Sequence, residues 1–357
     1  MKSTSAPMLF TKHVAEAIDL RSDVVSKPSK EMFESMTVAD LGNDGWREDP
    51  AVLRLERKIA AMLGKEAALF VPSGTMANEI ALRLMAPPGT VVIVDRWSHI
   101  FNHEVCGPAV LSGLQLLPIE PRLGYLTWSE ISRHIPPHSH QLPSISCISL
   151  ENTLNNAGGL IYPLDQIQEI AVEANKRGIR LHMDGARLFN AVVATSIDAS
   201  VYSKPFDIVN ICLSKGLGCP GGSVLAGTQT EMENALQIRR QLGGSLRQIA
   251  GMMAAAGLYA LKHNMTRLKQ DHDHARWLAD AIKRLQKLRL LAEPETNMVY
   301  FEPLDGNYLD TLEQLRNNDI LVAAYNPPSL RMVTHIDVSK EMVNQATNVI
   351  SEIFGES

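Results

Sequence analysis

The sequence predicts an α/β protein with a large, mixed but mostly parallel sheet and a smaller α/β layer at the C terminus. From about residue 67 to residue 225, short apolar runs alternate with segments of helical periodicity. This alternation is typical of parallel sheets whose strands are joined by helices. A chain of 357 residues is also longer than a domain with a single hydrophobic core usually is. We therefore expect residues 1–48 to pack partly with a small domain of residues 263–357, beside a large domain of residues 49–262.

The candidate strands of the large domain are apolar runs bounded by turn residues. They are Ala67–Val71, Val91–Val94, Ile145–Leu150, Ile179–Met183, Phe206–Leu213 and Gly222–Ala226. Between two of these runs, Pro163 begins a helix whose apolar positions form one stripe, and Gly178 follows as a stop signal. This segment is therefore predicted to be a strand–helix–strand unit.

Long helices dominate after Gly244. A stretch rich in Ala and Met runs through Leu261, and an amphipathic stretch follows from Leu268 to about Leu288. We interpret them as the connection into the second domain. The tail has candidate strands at Met298–Phe301 and Leu330–Thr334 with a helix between them, so it should form its own α/β layer.

Charge and composition exclude several classes of partner. The net charge of -5 and the pI of about 6.1 provide no basic excess, so we expect no nucleic-acid partner. Residues 1–13 lack an apolar core of signal-peptide length, and no run is apolar for ~18 residues. We expect a soluble, cytoplasmic protein without a membrane partner. The four cysteines show no C-x-x-C pairing, which disfavours structural zinc and a disulfide framework.

Two histidine-rich stretches raise the question of a metal site. The loop from His134 to Pro143 carries histidines among prolines, but no acid or thiol accompanies them. In Asp271–His274, adjacent residues of a helix point in different directions and cannot converge on one ion. A solvated helix face is the expected structure there. We predict no metal site.

Lys215 lies just past the apolar run Phe206–Leu213 and before a glycine-rich turn. This position would restrict the motion of its amine and partly shield the amine from water. Asp184 ends another strand-like run, so the two segments could bring an amine and a carboxylate into one crevice. Pyridoxal 5′-phosphate needs both, since its aldehyde forms a Schiff base with an amine and its ring nitrogen needs an anion to keep its proton. A lysine without these neighbours is usually a solvated surface charge.

Ser73, Gly74 and Thr75 follow a candidate strand and open a helix. Free amides at a helix N terminus, beside small hydroxyl residues, form an anion site suited to a phosphate. An ordinary helix cap is the alternative, because Ser and Thr are common capping residues. The presence of Lys215 and Asp184 favours the phosphate site.

Two further side chains are candidates for ligand contacts. His99 directly follows Val91–Val94, where open sheets bind ligands, and its imidazole could stack on a pyridine ring or exchange protons; a lone histidine is more often structural. Arg331 lies in a strand-like run, where an unpaired guanidinium is costly. Its partner could be a substrate carboxylate or a structural Asp or Glu.

Nine sequence blocks, in their order along the chain, resemble the L-threonine aldolase family, within the fold type I, aspartate aminotransferase-like, pyridoxal phosphate enzymes. The resemblance covers nearly the whole chain after residue 17. The blocks are Ile18–Val25, Gly42–Pro50, Gly64–Ala68, Pro72–Asn78, Leu150–Thr153, Met183–Ala191, Ile211–Gly218, Gly243–Gln248 and Val333–Asp337.

The resemblance implies a role for each matching position around the cofactor. Lys215 would form the Schiff base, Asp184 would bond the pyridine nitrogen, and Arg187 would contact the phenolic oxygen. His99 would stack on the ring. Ser73, Gly74 and Thr75 would hold the phosphate.

The resemblance also implies an amino-acid substrate and a subunit interface. Ser22 and Arg331 would grip the substrate carboxylate, and Arg247 would reach the phosphate of a neighbouring subunit. A homodimer or homotetramer with sites at the dimer interface is expected.

The implied reaction is cleavage of the Cα–Cβ bond of L-threonine, L-allo-threonine and related β-hydroxy-α-amino acids to glycine and an aldehyde. His99 is a candidate base, directly or through water. Leu154 replaces a histidine of many bacterial relatives, and Trp46 replaces a frequent tyrosine, so epimer preference is open and phenylserine becomes a candidate substrate. The alternatives are a β-eliminating lyase or aminotransferase of the same fold, and a non-catalytic binding or regulatory protein.

Overall fold

The computed structural model describes residues 17–137 and 139–355. Residues 1–13, on which the prediction of no signal peptide rests, lie outside the described residues, as does His138 of the proline-rich loop. The strands are β1 Ile18–Asp19, β2 Ala67–Val71, β3 Val91–Asp95, β4 Gln115–Ile119, β5 Ile145–Glu151, β6 Arg180–Asp184, β7 Ile208–Cys212, β8 Ser223–Gly227, β9 Leu288–Leu290, β10 Met298–Pro303, β11 Ile320–Leu321, β12 Ala323–Ala324 and β13 Leu330–Val333.

Helices separate most of these strands in the chain. They are α1 Lys30–Thr37, α2 Pro50–Leu63, α3 Gly74–Met85, α4 His99–Asn102, α5 Gly107–Ser112, α6 Trp128–Ser132, α7 Leu164–Asn175, α8 Leu188–Thr195, α9 Ala199–Ser203, α10 Gln229–Gln241, α11 Gln248–His263, α12 Leu268–Lys283, α13 Tyr308–Asn317 and α14 Lys340–Phe354. Short 3-10 turns occur at Asp23–Val25, Asp44–Trp46 and Asn155–Ala157.

A seven-stranded sheet forms the main layer, in the order β2-β8-β7-β6-β5-β3-β4. The pairs from β4 to β7 are parallel, and β8 is antiparallel to both β7 and β2. The prediction of a large, mixed, mostly parallel sheet is therefore confirmed. Strand β4 was not predicted, because it is a half-buried edge strand that contains Pro118, a residue that only sheet edges tolerate well.

Apolar side chains cover this sheet on both faces. Phe70 belongs to one buried cluster, which includes Ile59 of α2 and Ile167 of α7. Its neighbours Leu69 and Val71 belong to another cluster, with residues of α3 and α10. Successive strand residues point to opposite faces, so the sheet is buried between two helical layers, as expected for largely parallel strands.

The C-terminal residues form a second sheet of four antiparallel strands in the order β12-β13-β10-β9. Its own apolar cluster includes residues of α12, α13 and α14, together with Ile18 and Leu20. Strand β1 pairs in parallel with β11. The domain boundaries at residues 48 and 262 stay predictions.

The second amphipathic helix is shorter than predicted. Helix α12 ends at Lys283, and Leu288 begins strand β9 instead of ending the helix. Leu290 pairs with Phe301 of β10, so pairing within the second sheet determines the structure of this segment. Periodicity alone does not distinguish a short apolar strand from the end of a helix.

The prediction of a solvated face at Asp271–His274 is wrong. Asp271, His272 and His274 are buried, because α12 packs against α8, α14 and β10 on different sides. Asp271 accepts hydrogen bonds from Arg267 at 2.6 Å and 2.9 Å. These side chains are therefore structural groups of the interior.

No helix among residues 17–137 and 139–355 combines the length and apolarity that a bilayer crossing requires. The four cysteines are free thiols, with Cys106 exposed and the other three buried. The described residues between His134 and Pro143 form no helix or strand, as the prolines predicted.

The second core can be tested with a pair of leucine variants. Leu278 of α12 is 0 % exposed and Leu309 of α13 is 63 % exposed. We expect Leu278→Ala to lower the free energy of unfolding by about 2–5 kcal/mol, because it leaves a cavity. The control Leu309→Ala should change it by less than about 0.5 kcal/mol. Urea unfolding followed by circular dichroism measures both, and equal effects would contradict this assignment of the core.

Candidate active site

The carboxyl ends of neighbouring parallel strands bring the predicted site residues together. Glu151 at the end of β5 lies beside Asp184 at the end of β6, and Asp184 lies beside Asn210 of β7. His99 follows β3, and Lys215 follows β7. These residues come from four adjacent strands, in the crevice where open sheets bind ligands.

Asp184 is the buried carboxylate of this crevice, with 3 % exposure. Its oxygens accept hydrogen bonds from Asn78 Nδ2 at 2.9 Å and from the amide of Ala186 at 3.1 Å. Burial would raise its pKa, but the charges of Lys215 and His99 and the Asn78 hydrogen bond outweigh burial and lower it. Asp184 is therefore held in its ionised form. An anion is what a protonated ring nitrogen needs as its partner.

Lys215 is half-buried in the loop after β7. Its backbone is fixed, because its carbonyl accepts hydrogen bonds from Ser26 Oγ at 3.1 Å and from the amide of Gly218 at 2.8 Å. No described residue accepts a hydrogen bond from its Nζ, and its charge acts on Asp184 and Asp23. The hydrogen bonds fix the backbone of Lys215 while its amine stays available, so this lysine is suited to covalent attachment of an aldehyde.

Ser73 caps α3, since its hydroxyl accepts the amide of Met76 at 3.2 Å. The capping role is therefore observed, and it leaves the exposed hydroxyl of Thr75 and the other first-turn amides at the same helix end. A Cβ on Gly74 would lie 2.6 Å from Cys212 Sγ. Glycine thus allows the N terminus of α3 to approach the end of β7 closely, where an anion site is favourable.

His99 is the first residue of α4 and is oriented by two glutamates. Its amide donates to Glu151 Oε2 at 2.8 Å, and its Nδ1 lies 2.8 Å from Glu104 Oε1. Asn78 Nδ2 also donates to Glu104 Oε1, at 2.7 Å, so Asn78 bridges Glu104 and Asp184. Burial opposes protonation of His99, but the Glu104 hydrogen bond and the charge of Asp184 outweigh it and raise its pKa.

His99, Glu104 and Asp184 also have ligand atoms within 4.8 Å of one another, a spacing that a metal ion could use. The Asn78 amide group, however, donates to both carboxylates. A donor directed into this group disfavours a cation. The geometry suits a ring with a protonated nitrogen better than a metal ion.

Arg187 forms a buried ion pair with Asp23. Its Nε and Nη2 donate to the two carboxylate oxygens at 2.8 Å and 2.6 Å, and its Nη1 donates to Asn155 Oδ1 at 3.2 Å. Burial would raise the pKa of Asp23, but Arg187 holds it well below its usual range. Asp23 was not predicted as a site residue, although it lies in a block that resembles the family.

Arg331 lies in β13 with 6 % exposure. Its Nη1 donates to Asn155 Oδ1 and its Nη2 to the Arg21 carbonyl, both at 3.0 Å, while its buried Nε has no hydrogen-bond partner among the described residues. No described Asp or Glu forms a salt bridge with it, so the alternative of a structural ion pair is not found among these residues. A buried guanidinium without a carboxylate is a suitable site for an anionic ligand.

The remaining predicted residues are spread around this group. Ser22 caps the short turn that begins at Asp23 and accepts the amide of Val24 at 3.4 Å; it neighbours Arg21, whose carbonyl binds Arg331. Arg247 is exposed before α11 and makes no hydrogen bond with a described residue. Within the described residues of one chain, it forms no ion pair with another predicted site residue.

The two positions that depart from the family pattern have different surroundings. Leu154 is buried and lines a cavity of about 160 Å³ with Asp95, Ser98 and Glu151. Trp46 is 74 % exposed. Within one chain, only Leu154 lies beside the crevice.

The chain matches the beta-eliminating lyase family model over residues 19–303. It is 38 % identical over 327 residues to the low specificity L-threonine aldolase of Escherichia coli K12, covering 91 % of this chain and 96 % of that protein. It is also 38 % identical over 340 residues to low-specificity L-threonine aldolase 1 of Arabidopsis thaliana, with 93 % and 94 % covered.

The fold agrees with these sequence matches. The solved structure of threonine aldolase from Leishmania major superposes with a TM-score of 0.83 at 18 % identity, covering 94 % of this chain and 99 % of that chain. Family membership makes the protein a lyase and not a non-catalytic protein of the same fold. The chain belongs to the L-threonine aldolase family, within the beta-eliminating lyases of the pyridoxal phosphate fold type I.

Proposed function

We propose that this lyase cleaves the Cα–Cβ bond of L-threonine, L-allo-threonine and related β-hydroxy-α-amino acids, releasing glycine and an aldehyde. The names of its relatives support this reaction. The observation that carries the proposal is the buried, ionised Asp184 near the free amine of Lys215, since the cofactor of such cleavage needs both groups.

The residues of the crevice fit pyridoxal 5′-phosphate. Lys215 would hold the aldehyde covalently, Asp184 would bond the ring nitrogen, and Arg187 would contact the phenolic oxygen. His99 would stack on the ring. The N terminus of α3, with Ser73, Gly74 and Thr75, would hold the phosphate. When bound, the cofactor supplies an electron sink for the pair released by the broken bond.

Arg331 and Ser22 hold the substrate carboxylate. The absence of a described carboxylate on Arg331 supports this role, because an anionic substrate would then neutralise a buried charge. A carboxylate held at two points fixes rotation about the Cα–N bond, so that one bond of Cα is directed for cleavage. Asp184 meanwhile keeps the proton on the ring nitrogen, and His99 is a candidate base, directly or through water.

We also propose a substrate range, a shared subunit site and a cellular location. Leu154, which lines the cavity beside Glu151, bears on the preference between threonine epimers, and Trp46 in place of tyrosine bears on the use of bulkier substrates such as phenylserine. Arg247 reaches the phosphate of a partner subunit in a homodimer or homotetramer, as its exposure in the single chain supports. We infer a cytoplasmic location from the composition of the sequence.

The reaction is tested by incubating the purified protein with L-threonine, L-allo-threonine and phenylserine. We expect glycine and the matching aldehyde; pyruvate or 2-oxobutanoate would instead indicate elimination or transamination. Lys215→Ala should lose the absorbance of covalently bound cofactor and nearly all turnover. The matched control Lys262→Ala, an exposed lysine of α11, should keep both. A Lys215→Ala variant with full activity would contradict the assignment.

The shared site is tested by mixing two inactive variants. Lys215→Ala and Arg247→Ala are each assayed at a cofactor concentration at which they show no activity. If the site is shared, random mixed dimers contain one intact site, so the mixture should recover about a quarter of the wild-type activity. The control Arg284→Ala, an exposed arginine after α12, should be active alone. Mixed dimers that stay inactive would show that Arg247 acts within its own chain.

A further inference from the structure

His103 and Tyr325 form a hydrogen-bonded pair beside the crevice. His103 directly follows α4, and Tyr325 lies in the loop between β12 and β13. Tyr325 Oη and His103 Nε2 are 2.7 Å apart, although the residues are separated by 222 positions in the sequence. Neither residue was predicted as a site residue, because nothing in the local sequence links them.

A neighbouring contact favours one direction for this hydrogen bond. Asn155 Nδ2 donates to Tyr325 Oη at 2.7 Å, which leaves the hydroxyl proton of Tyr325 available for His103. His103 Nε2 accepts that proton when the imidazole is neutral and carries its own proton on Nδ1. In this tautomer the phenol is the donor and the imidazole is the acceptor.

The pair lies next to the groups that hold the substrate in the proposed function. The Tyr325 ring centroid is 4.2 Å from Arg331 Cζ, and Asn155 contacts both Tyr325 and Arg331. On the other side, the ring centroids of His103 and His99 are 5.4 Å apart. The pair thus spans the space between the carboxylate-binding arginine and the histidine that stacks on the cofactor.

The two histidines differ in charge. Burial lowers the pKa of His103, and the positive charges of His99 and Arg331 lower it further. His99 has a raised pKa because Glu104 and Asp184 stabilise its cation. Neighbouring groups whose environments separate their pKa values divide acid and base roles between them. The surroundings therefore favour the neutral imidazole at His103 more than at His99.

We propose that Tyr325 and His103 form the relay that accepts the proton of the substrate's β-hydroxyl group when the Cα–Cβ bond breaks. This inference rests on the proposed function. The hydroxyl proton passes to Tyr325 Oη while the phenol proton passes to His103 Nε2. The O–H electron pair becomes the second bond of the aldehyde carbonyl, and bound pyridoxal phosphate would supply the electron sink for the Cα–Cβ pair. His103 is exposed and returns its proton to water.

Two reactions separate this role from a purely structural one. Cleavage of L-threonine needs the hydroxyl proton to be removed, whereas exchange of the glycine α-proton with deuterated water uses the cofactor site without any β-hydroxyl group. Tyr325→Phe and His103→Gln should each lower kcat for threonine cleavage by about 10²-fold or more, the usual contribution of a general base. The rate of glycine exchange, followed by NMR, should stay within about 3-fold of the wild type.

The matched controls are Tyr259→Phe and His263→Gln, a tyrosine and histidine of α11 whose ring centroids are 4.5 Å apart. Both should leave the two rates unchanged. Undiminished cleavage in Tyr325→Phe, or a parallel loss of cleavage and glycine exchange, would overturn the relay. A wild-type protein that exchanges glycine but does not cleave threonine would instead overturn the proposed function, and the relay with it.

Discussion

The structure depends on one ionised carboxylate that is buried at the end of a parallel strand. Removing a charge from water costs several kcal/mol even after relaxation, and Asp184 is almost completely buried. Its anion is stabilised by the charges of Lys215 and His99 and by the amides of Asn78 and Ala186. These partners come from separate loops and helices, so the order of the strands and the register of β5 and β6 are what bring them together.

The same crevice contains two buried arginines in different electrostatic states. Arg187 is neutralised by a bidentate ion pair with Asp23. Among the described residues, Arg331 donates hydrogen bonds to two neutral groups, the Asn155 amide and the Arg21 carbonyl. Asn155 contacts both guanidinium groups and therefore fixes their relative position. A paired arginine can support a bound cofactor without attracting a further anion, and an arginine without a carboxylate is suited to bind one.

Much of the fold could be predicted, because buried parallel strands and amphipathic helices have strong local patterns. The strands that lead to His99, Asp184 and Lys215 were located to within a few residues. Strand β4 was missed because it is a half-buried edge, and β9 because its structure is determined by pairing with β10. Local periodicity also could not show that α12 is enclosed on several sides, so Asp271 and its neighbours were wrongly placed in solvent.

The predicted site residues were those with a distinctive position after a strand or at a helix start. The residues that orient them were missed: Asn78, Glu104, Asp23 and Asn155 act through side-chain contacts between segments far apart in the sequence. Such contacts leave no local pattern. The family motifs contain Asn78 and Asp23, yet only the folded chain reveals which groups they join.

The most direct test of the central claim is nitrogen-15 NMR of the protein reconstituted with pyridoxal phosphate labelled at its ring nitrogen. We predict a protonated ring nitrogen in the wild type at a pH at which the free cofactor is unprotonated, and loss of that proton in Asp184→Asn while Lys215 still binds the cofactor covalently. An unprotonated ring nitrogen in the wild-type protein with covalently bound cofactor would contradict the role of the buried Asp184 carboxylate.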